Sequence, residues 1–420
     1  MTTRQDCLAL DAQDPLAPLR EQFTLPAGKI YLDGNSLGAL PRATPQRVAQ
    51  VIEQEWGEHL IESWNTAGWI TLPQRIGDKI ARLAGADAGE LVVADSTSVN
   101  LFKVLSAALT IAKADAPGRR VILSERGNFP TDLYIAEALA RERGCELVLT
   151  DAPDEIAAHL ASGRIAVMML TQVDYKSGRL HDMAALTRLA HDHGTLALWD
   201  LAHSAGALPV ALKADGADFA IGCGYKYLNG GPGAPAFVWV HPRHAERFWQ
   251  PLSGWMGHAA PFEFTPEYRP ATGIARYLCG TPALLSMAAL ECGVDSVLAA
   301  EPLGGMATLR AKSLALTDLF IALVDARCAG DGLTVITPRE RAARASQVAL
   351  ARAEGAYAIV QALIARGVVG DFRAPDVLRF GFTPLYVRYV DVWDAVEHLR
   401  QVLTTGEWRE ARFNRKAAVT

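Results

Sequence analysis

The sequence lacks the features of a membrane or exported protein. No apolar run approaches the roughly 18 residues that span a bilayer, and residues 1–19 contain no apolar stretch resembling a signal peptide. A basic block is also missing, because 41 Lys and Arg are outnumbered by 46 Asp and Glu, for a net charge of −5. We therefore expect a cytoplasmic protein with neither a membrane nor a nucleic acid as partner.

Cysteine is scarce and scattered. None of the six cysteines forms a CxxC pair, the spacing that many zinc sites and redox motifs use. They are Cys7, Cys145, Cys223, Cys279, Cys292 and Cys328. This pattern argues against a disulfide framework and offers no metal ligands, so we expect reduced thiols and no metal.

Repeats, low-complexity tracts and Gly/Ser-rich linkers are also missing, while half of the 420 residues are hydrophobic. Between Leu91 and Val240, short apolar runs alternate with segments of helical period. The predicted strands are Val121–Ser124, Glu146–Thr150, Ile165–Thr171, Leu196–Asp200, Phe219–Gly222 and Ala236–Val240, with helices such as Thr131–Arg143 and Met183–His193 between them. This alternation predicts an α/β fold with a mostly parallel sheet, whose ligands bind at the carboxyl ends of its strands.

After Pro282 the pattern changes to longer helices and a few short strands. The predicted helices are Pro282–Leu298, Pro302–Ala326 and Asp391–Thr404, and the predicted strands lie near Leu333–Ile336, Gln347–Ala351 and Val377–Phe382. We expect a smaller α+β domain here. The domain prediction is an N-terminal arm with helices at 1–60, a large domain at 61–285 and a small C-terminal domain at 286–420.

An acid, a histidine and a lysine form the most informative pattern. Asp200 ends an apolar strand, His203 follows on the turn, and Lys226 comes 26 residues (226 − 200) after Asp200, next to Tyr225 and among small residues. A poorly solvated lysine amine suits Schiff-base formation, and a carboxylate at a strand end can pair with a protonated pyridine nitrogen. These are the two anchors that pyridoxal phosphate requires.

Two further segments fit the rest of that cofactor. The hydroxyls of Asp-Ser-Thr-Ser-Val-Asn at 95–100 precede an amphipathic run at Leu101–Lys113, and a helix N-terminus rich in hydroxyls and free N–H groups binds phosphate. Ser204 and Tyr225 could add hydroxyl donors. In Asn-Phe-Pro-Thr-Asp at 128–132, Phe129 could stack on a planar ring and Asp132 could contact it.

Each of these elements also has an ordinary structural explanation. Asp200 could cap a helix, His203 could be a buried structural histidine, and Lys226 could lie on the surface. A catalytically silent protein on this fold would be expected to have replaced Lys226 or Asp200, and both are present. The joint occurrence of all the elements, in one βα series and in the required chain order, favours the cofactor site.

The sequence resembles the kynureninase family from about Tyr31 to Tyr386. The matching motifs are Tyr-Leu-Asp-Gly-Asn-Ser-Leu-Gly at 31–38, Asn-Phe-Pro-Thr-Asp at 128–132, Trp-Asp-Leu-Ala-His-Ser at 199–204, Cys-Gly-Tyr-Lys-Tyr-Leu-Asn at 223–229, Gly-Trp-Met-Gly at 254–257 and Gly-Thr-Pro at 280–282. The resemblance implies a fold-type-I pyridoxal 5′-phosphate enzyme with a seven-stranded sheet. It further implies hydrolysis of L-kynurenine to anthranilate and L-alanine, in tryptophan catabolism, by a homodimer with active sites at the subunit interface.

The resemblance also implies residue roles. Lys226 would carry the Schiff base, Asp200 would pair with the pyridine nitrogen, and Tyr225 is the third catalytic candidate. Further cofactor contacts are implied for Thr97, Ser98, Phe129, Pro130, Thr131, Asp132, Thr171, His203, Trp255 and Thr281. The substrate candidates are Arg379 (for the carboxylate, with Arg373 as the weaker choice), Trp64 and Asn35.

Two questions stay open at this level. Trp64 and Thr281 fall near positions that face the substrate ring in the family, and their apolar bulk and single short hydroxyl favour kynurenine over 3-hydroxykynurenine. The alternative function is a class V aminotransferase or a cysteine desulfurase. A desulfurase needs a mobile catalytic cysteine, and none of the six lies in an obvious Gly/Ser-rich lid loop.

Overall fold

A computed structural model describes residues 2–416. The strands are β1 (Phe23–Thr24), β2 (Ile30–Tyr31), β3 (Leu40–Pro41), β4 (Leu91–Ala94), β5 (Val121–Glu125), β6 (Glu146–Thr150), β7 (Ile165–Thr171), β8 (Leu196–Asp200), β9 (Phe219–Gly222), β10 (Ala236–Val240), β11 (Thr334–Val335), β12 (Gln347–Ala351), β13 (Val368–Val369), β14 (Asp371–Arg373) and β15 (Val377–Gly381). The α-helices are α1 (Arg4–Ala12), α2 (Thr44–Gln50), α3 (Ser63–Thr66), α4 (Leu72–Ala84), α5 (Thr97–Asp115), α6 (Pro130–Arg143), α7 (Glu155–Ala161), α8 (Met183–Asp192), α9 (Pro242–Ala245), α10 (Leu284–Leu298), α11 (Gly305–Arg327), α12 (Ala356–Ala365) and α13 (Tyr389–Thr405).

A seven-stranded sheet forms the centre of the chain, in the order β4-β10-β9-β8-β7-β5-β6. In this sheet β10 runs antiparallel to both of its neighbours, β4 and β9, and the other neighbouring strands pair in parallel. Every residue of β7, β9 and β10 is buried, as expected where helices cover both faces of a sheet. The predicted α/β class and mostly parallel sheet are confirmed.

A second, four-stranded antiparallel sheet lies nearer the C-terminus, in the order β11-β12-β15-β14. Its two longer strands match the prediction within one residue. The predicted helix starts are less accurate: α10 begins at Leu284 rather than Pro282. Pro302 belongs to a separate 3₁₀ turn, Glu301–Leu303, because a left-handed glycine pair separates that turn from α11.

The N-terminal segment joins the second sheet to the first. β2 pairs in parallel with β13, and the Leu32 carbonyl accepts a hydrogen bond from the Gly381 amide at the end of β15. Residues 33–38 follow these contacts and run towards the carboxyl ends of β7 and β8. The predicted borders between the three domains stay a prediction.

Among residues 2–416, no helix combines the length and apolar character that crossing a membrane requires.

Candidate active site

A cleft opens at the carboxyl ends of β7 and β8, beside the first turns of α5 and α6. Its cavity volume is about 150 Å³. Ten of the residues predicted for the cofactor line it together: Thr97, Ser98, Phe129, Thr131, Asp132, Thr171, Asp200, His203, Tyr225 and Lys226. The cleft therefore brings the amine of Lys226 and the carboxylate of Asp200 to one space, as the sequence predicts.

The lysine amine lies next to a neutral histidine. Lys226 Nζ and His203 Nε2 are 3.0 Å apart. Burial, followed by the positive charges of Lys226 and Arg379, lowers the pKa of His203 well below its usual value. A histidine without its proton at Nε2 can accept a hydrogen bond from the amine. Its Nδ1 is buried and has no partner within residues 2–416.

Two carboxyl groups face each other across the base of the cleft. The Asp200 Oδ1 atom accepts the Ala202 amide at 2.7 Å. Burial raises the pKa of Asp200, although the charge of Lys226 opposes the rise. Burial raises the pKa of Asp132 well above its usual value, and the charge of Asp200 adds to the effect. Each of the two carboxyl groups therefore keeps a proton to higher pH than a solvated aspartate does.

Hydroxyl groups gather at the N-terminus of α5, as predicted. Ser96 is the N-cap, and its Oγ accepts the Val99 amide at 3.3 Å. The preceding Asp95 has a left-handed backbone with a φ of 45°, and its carboxylate pairs with Lys103, which is fully buried in α5. Lys103 also donates to the Tyr277 carbonyl at 2.7 Å. This arrangement aims free N–H groups and hydroxyls into the cleft, where an anion would be stabilised.

The opposite wall carries the aromatic residues. Phe129 caps the start of α6, with Pro130 in the first helical position behind it. Its ring meets Tyr175 edge-on, with 5.4 Å between the ring centroids. Thr171 Oγ1 donates to Asn128 Oδ1, and the same Oδ1 accepts the Phe129 amide at 2.7 Å. Asn128 thus fixes the turn from which Phe129 projects.

Close backbone packing holds the turn that carries Lys226. The Gly38 amide donates to the Tyr225 carbonyl at 2.8 Å. A Cβ atom at Gly38 would lie 2.5 Å from the Lys226 carbonyl oxygen, and one at Gly224 would lie 2.4 Å from the Pro235 carbonyl oxygen. Only glycine fits such approaches, so the turn has little freedom to move.

Trp64, Trp255 and Thr281 were predicted for the site but are not among the residues that line this cleft in the single chain. Trp64 and Trp255 pack edge-on against each other, with ring centroids 5.7 Å apart. They belong to an aromatic row that runs from Trp69 through Trp64, Trp255 and Phe262 to Phe264. Thr281 lines a neighbouring cavity together with Asp95.

The predicted substrate residues Arg379 and Asn35 are both buried. Asn35 Nδ2 donates to Gln347 Oε1 at 3.4 Å, and Gln347 Nε2 donates to the Tyr175 carbonyl at 3.0 Å. Arg379 donates to the same carbonyl. Sequence reasoning missed Tyr175 and Gln347, because only the folded chain shows that they connect the second sheet to the cleft.

The residues present fit pyridoxal phosphate. The cleft offers an amine, and a buried carboxylate beside which a ring could lie. It also offers an aromatic side chain and, at one end, a helix N-terminus that can bind a phosphate. Some buried polar atoms at or next to the cleft have no hydrogen-bond partner within residues 2–416. They include His203 Nδ1, Asp132 Oδ2 and Ser204 Oγ. Such orphaned atoms indicate that a polar ligand completes the site.

Comparisons with known proteins agree with this assignment. Residues 309–399 match the family described as kynureninase C-terminal domain. The chain is 57% identical over 422 aligned residues to the kynureninases of Pseudomonas fluorescens and Burkholderia pseudomallei, with 100% of each chain covered. In fold it is similar to a cysteine desulfurase from Thermococcus onnurineus NA1, at a TM-score of 0.77 and 18% identity over 92% of this chain and 98% of that one. The cysteine desulfurase CsdA from Escherichia coli gives a TM-score of 0.74 at 19% identity, covering 93% and 98%.

Proposed function

The chain belongs to the kynureninase family, and from that premise we propose that it hydrolyses the Cβ–Cγ bond of L-kynurenine to give anthranilate and L-alanine. Its cofactor is pyridoxal 5′-phosphate. The observation that carries the proposal is the meeting of Lys226 and Asp200 in one cleft that ends at the phosphate-binding N-terminus of α5.

The cofactor supplies an electron-withdrawing ring that stabilises negative charge on substrate carbons. Lys226 would hold the cofactor, and its amine would take the proton from the substrate Cα. Asp200 would keep a proton at the ring nitrogen, without which the ring would attract electrons less strongly. His203, Asp132 and Thr171 would surround the ring and exclude water from it.

The remaining residues bind and orient. Thr97 and Ser98 would present hydroxyls and N–H groups to the phosphate, and Phe129 would stack on the ring, framed by Pro130 and Thr131. Tyr225 would reach the phosphate, and we assign it a second role in delivering a proton, because Lys226 Nζ lies 5.7 Å from the centroid of its ring. Burial raises the pKa of Tyr225, so it keeps the proton it would donate.

The alternative enzymes of the same fold are not favoured. The likeness to cysteine desulfurases is at 18–19% identity, whereas the likeness to kynureninases is at 57% over the whole chain. A transaminase would also need a keto acid to complete its cycle.

The test is a product assay without any keto acid. The chain loaded with pyridoxal phosphate is expected to convert L-kynurenine to fluorescent anthranilate and to equimolar L-alanine. Lys226→Ala should lose this turnover and the visible absorbance that the cofactor gains on condensing with a lysine, whereas Lys29→Ala, at an exposed lysine, should keep both. Product formation that depends on an added keto acid would identify a transaminase instead.

We also propose a cytoplasmic homodimer whose active sites lie at the subunit interface. The surface around the π-helical segment Val51–Trp56 exposes large apolar side chains, among them Trp56, Leu60 and Ile61, which are 58%, 60% and 75% exposed. Such a patch is typical of an interaction surface. Trp69 and Leu285 line a groove in it, and Trp69 begins the aromatic row that contains Trp64 and Trp255. A second copy seated here would receive Trp64, Trp255 and Thr281 from its neighbour.

In this dimer, Trp64 and Thr281 would determine the preference between L-kynurenine and 3-hydroxykynurenine. A ring hydroxyl buried against Trp64 without a partner costs about 1–3 kcal/mol, or about 5–150-fold in specificity. We expect kcat/KM to be higher for L-kynurenine than for 3-hydroxykynurenine. Trp64→His, which adds a polar partner, should narrow the difference, while Trp249→His at an exposed tryptophan outside the row should leave it unchanged. A higher kcat/KM for the hydroxylated substrate would contradict this preference.

A further inference from the structure

One aromatic residue of the cleft has no part in the roles proposed above. Tyr175 lines the cleft and comes four residues after Thr171, the last residue of β7. Its ring meets the ring of Phe129 at an interplanar angle of 87°. Because Phe129 is the residue expected to stack on the cofactor, what holds Tyr175 in place bears on the cofactor site.

The turn that carries Tyr175 is built by its own neighbours. Asp174 Oδ1 accepts hydrogen bonds from the amide and the hydroxyl of Ser177, both at 2.6 Å. The Gly178 amide donates back to the Asp174 carbonyl at 2.9 Å. An aspartate that bonds to the backbone just after it stabilises a turn, so the backbone on both sides of Tyr175 is fixed.

Two strands of the second sheet hold this turn from outside. Gln347 is buried at the start of β12, and its Nε2 donates to the Tyr175 carbonyl at 3.0 Å and to the Asp174 carbonyl at 3.3 Å. Arg379 on β15, the strand paired with β12, donates to the same Tyr175 carbonyl. The second sheet therefore sets the position of Tyr175 in the cleft.

Close packing between the turn and β12 leaves little room for the turn to shift. Gly178 has a φ of 76°, and a Cβ atom there would lie 2.7 Å from Gln347 Cγ. Only glycine fits this approach at low cost. The Gly178 carbonyl also accepts the Ala345 amide at 2.9 Å.

Phe129 needs a neighbour to fix the direction of its ring. Asn128 holds its backbone, but the residue is 40% exposed. Tyr175 is the one aromatic ring that meets it within residues 2–416, at 5.4 Å between the centroids, which is a favourable distance for an edge-on pair. A perpendicular contact occupies one edge or one face of Phe129 and leaves another face open to a ligand.

We propose that Tyr175 is a positioning residue for the cofactor: its ring, held in place by Gln347, orients Phe129 so that the open face of Phe129 stacks on the pyridoxal ring. The inference rests on the proposed function, which gives Phe129 this stacking role. It assigns the task to the aromatic ring of Tyr175 rather than to its hydroxyl, and it makes the second sheet a determinant of cofactor geometry.

Cofactor binding tests this inference without any substrate. Pyridoxal phosphate is titrated into the full chain after removal of the cofactor, and visible absorbance gives the affinity. Circular dichroism in the same band reports how the bound ring is oriented. Tyr175→Leu keeps apolar bulk but loses the aromatic ring, so it should bind the cofactor about 2- to 10-fold more weakly and change the intensity of the dichroic band.

Two tyrosine variants serve as matched controls. Tyr175→Phe keeps the ring and loses the hydroxyl, so it should equal the wild type in affinity and in the dichroic band. Tyr134→Leu removes a 67% exposed tyrosine from α6, the helix that follows Phe129, and should also leave both quantities unchanged.

Gln347→Met tests the link to the second sheet. It keeps the length of the side chain but removes the amide that donates to the turn, so it should alter the dichroic band as Tyr175→Leu does. The double variant should lose no more affinity than the weaker-binding single variant, because both changes act through one ring. If Tyr175→Leu fails to fold, as judged by its melting temperature, Gln347→Met is the decisive variant.

The outcomes separate this inference from the proposed function. Wild-type affinity and an unchanged dichroic band in folded Tyr175→Leu, or in Gln347→Met where that is the decisive variant, would overturn the inference. So would a loss in Tyr175→Phe as large as that in Tyr175→Leu, since the hydroxyl would then be the active group. A wild type that binds the cofactor but makes no anthranilate from L-kynurenine would refute the proposed function, and the binding measurements would still decide the role of Tyr175.

Discussion

At the scale of single residues, the substrate candidate Arg379 belongs to a charged cluster with Asp371 and Arg373. Asp33 is half-buried next to this cluster. Burial, and next the charge of Asp371, raises the pKa of Asp33 to about 7. Its Oδ1 has no hydrogen-bond partner in the described part of the chain. Asp33 is thus neutral below about pH 7 and adds a negative charge to the cluster above it.

This titration predicts a pH-dependent affinity. As the pH rises through about 7, ionised Asp33 cancels part of the field of the two arginines, so KM for the anionic substrate should increase a few-fold. Asp33→Asn should flatten KM between pH 6 and 8, while Asp154→Asn, at an exposed position, should follow the wild type. A KM that stays constant across this range in the wild type would contradict the expectation.

Sequence reasoning found residues that line the cleft but not the residues that support them. Asp200, Asp132 and Lys226 each follow a strand or open a helix, and such turns are visible as local patterns. Tyr175 and Gln347 are 172 residues apart, and nothing near either one shows that they meet. Asp371 was missed for the same reason, because its contact with Arg379 depends on the pairing of β14 with β15 rather than on its neighbours in sequence.

At the scale of elements, the strands of the central sheet were predicted best. The bounds of β6, β7, β8, β9 and β10 agree with the prediction, because unbroken apolar runs between turn signals leave little choice. β14 was not predicted, since three residues are too few to show a period. The two-residue strands β1, β2 and β3 were not predicted, for the same reason.

The N-terminus of α5 offers a test of one element. Lys103 pairs with Asp95 and so stabilises the left-handed backbone that begins the phosphate cradle. Lys103→Met should lower the free energy of unfolding by about 1–3 kcal/mol and weaken binding of pyridoxal phosphate, measured by urea unfolding and by absorbance titration.

The matched control lies on the same helix. Lys113→Met, at an exposed position near the C-terminal end of α5, should change neither quantity. If Lys103→Met bound the cofactor as tightly as Lys113→Met, the ion pair would have no part in shaping the cradle.

At the scale of the whole molecule, a row of aromatic side chains leads from the interior to an exposed surface. The aromatic row passes from buried Trp69 to Phe264, which is 76% exposed. Its members are not among the residues that line the cleft beside Phe129, whereas the family resemblance implies that Trp64 and Trp255 contribute to an active site. The proposed second copy would bring them to the cleft of its neighbour.

The assembly can be tested by changing one exposed side chain. The wild type is expected to sediment at twice 45.2 kDa. Ile61→Asp should produce a folded monomer with little activity, since a charge would be buried in the contact. Leu10→Asp, at an exposed leucine on α1, should remain a dimer. A wild type that sediments as an active monomer would exclude shared active sites.

The segment at residues 33–38 has a consequence for biosynthesis. Ser36 bonds to Arg379, 343 residues further along the chain, and Gly38 bonds to the turn of Lys226. At 5–20 residues per second, a ribosome needs about 17–70 s to make the intervening chain. During that time the early segment has no arginine to meet. The contact between Ser36 and Arg379 therefore cannot form before translation is nearly complete.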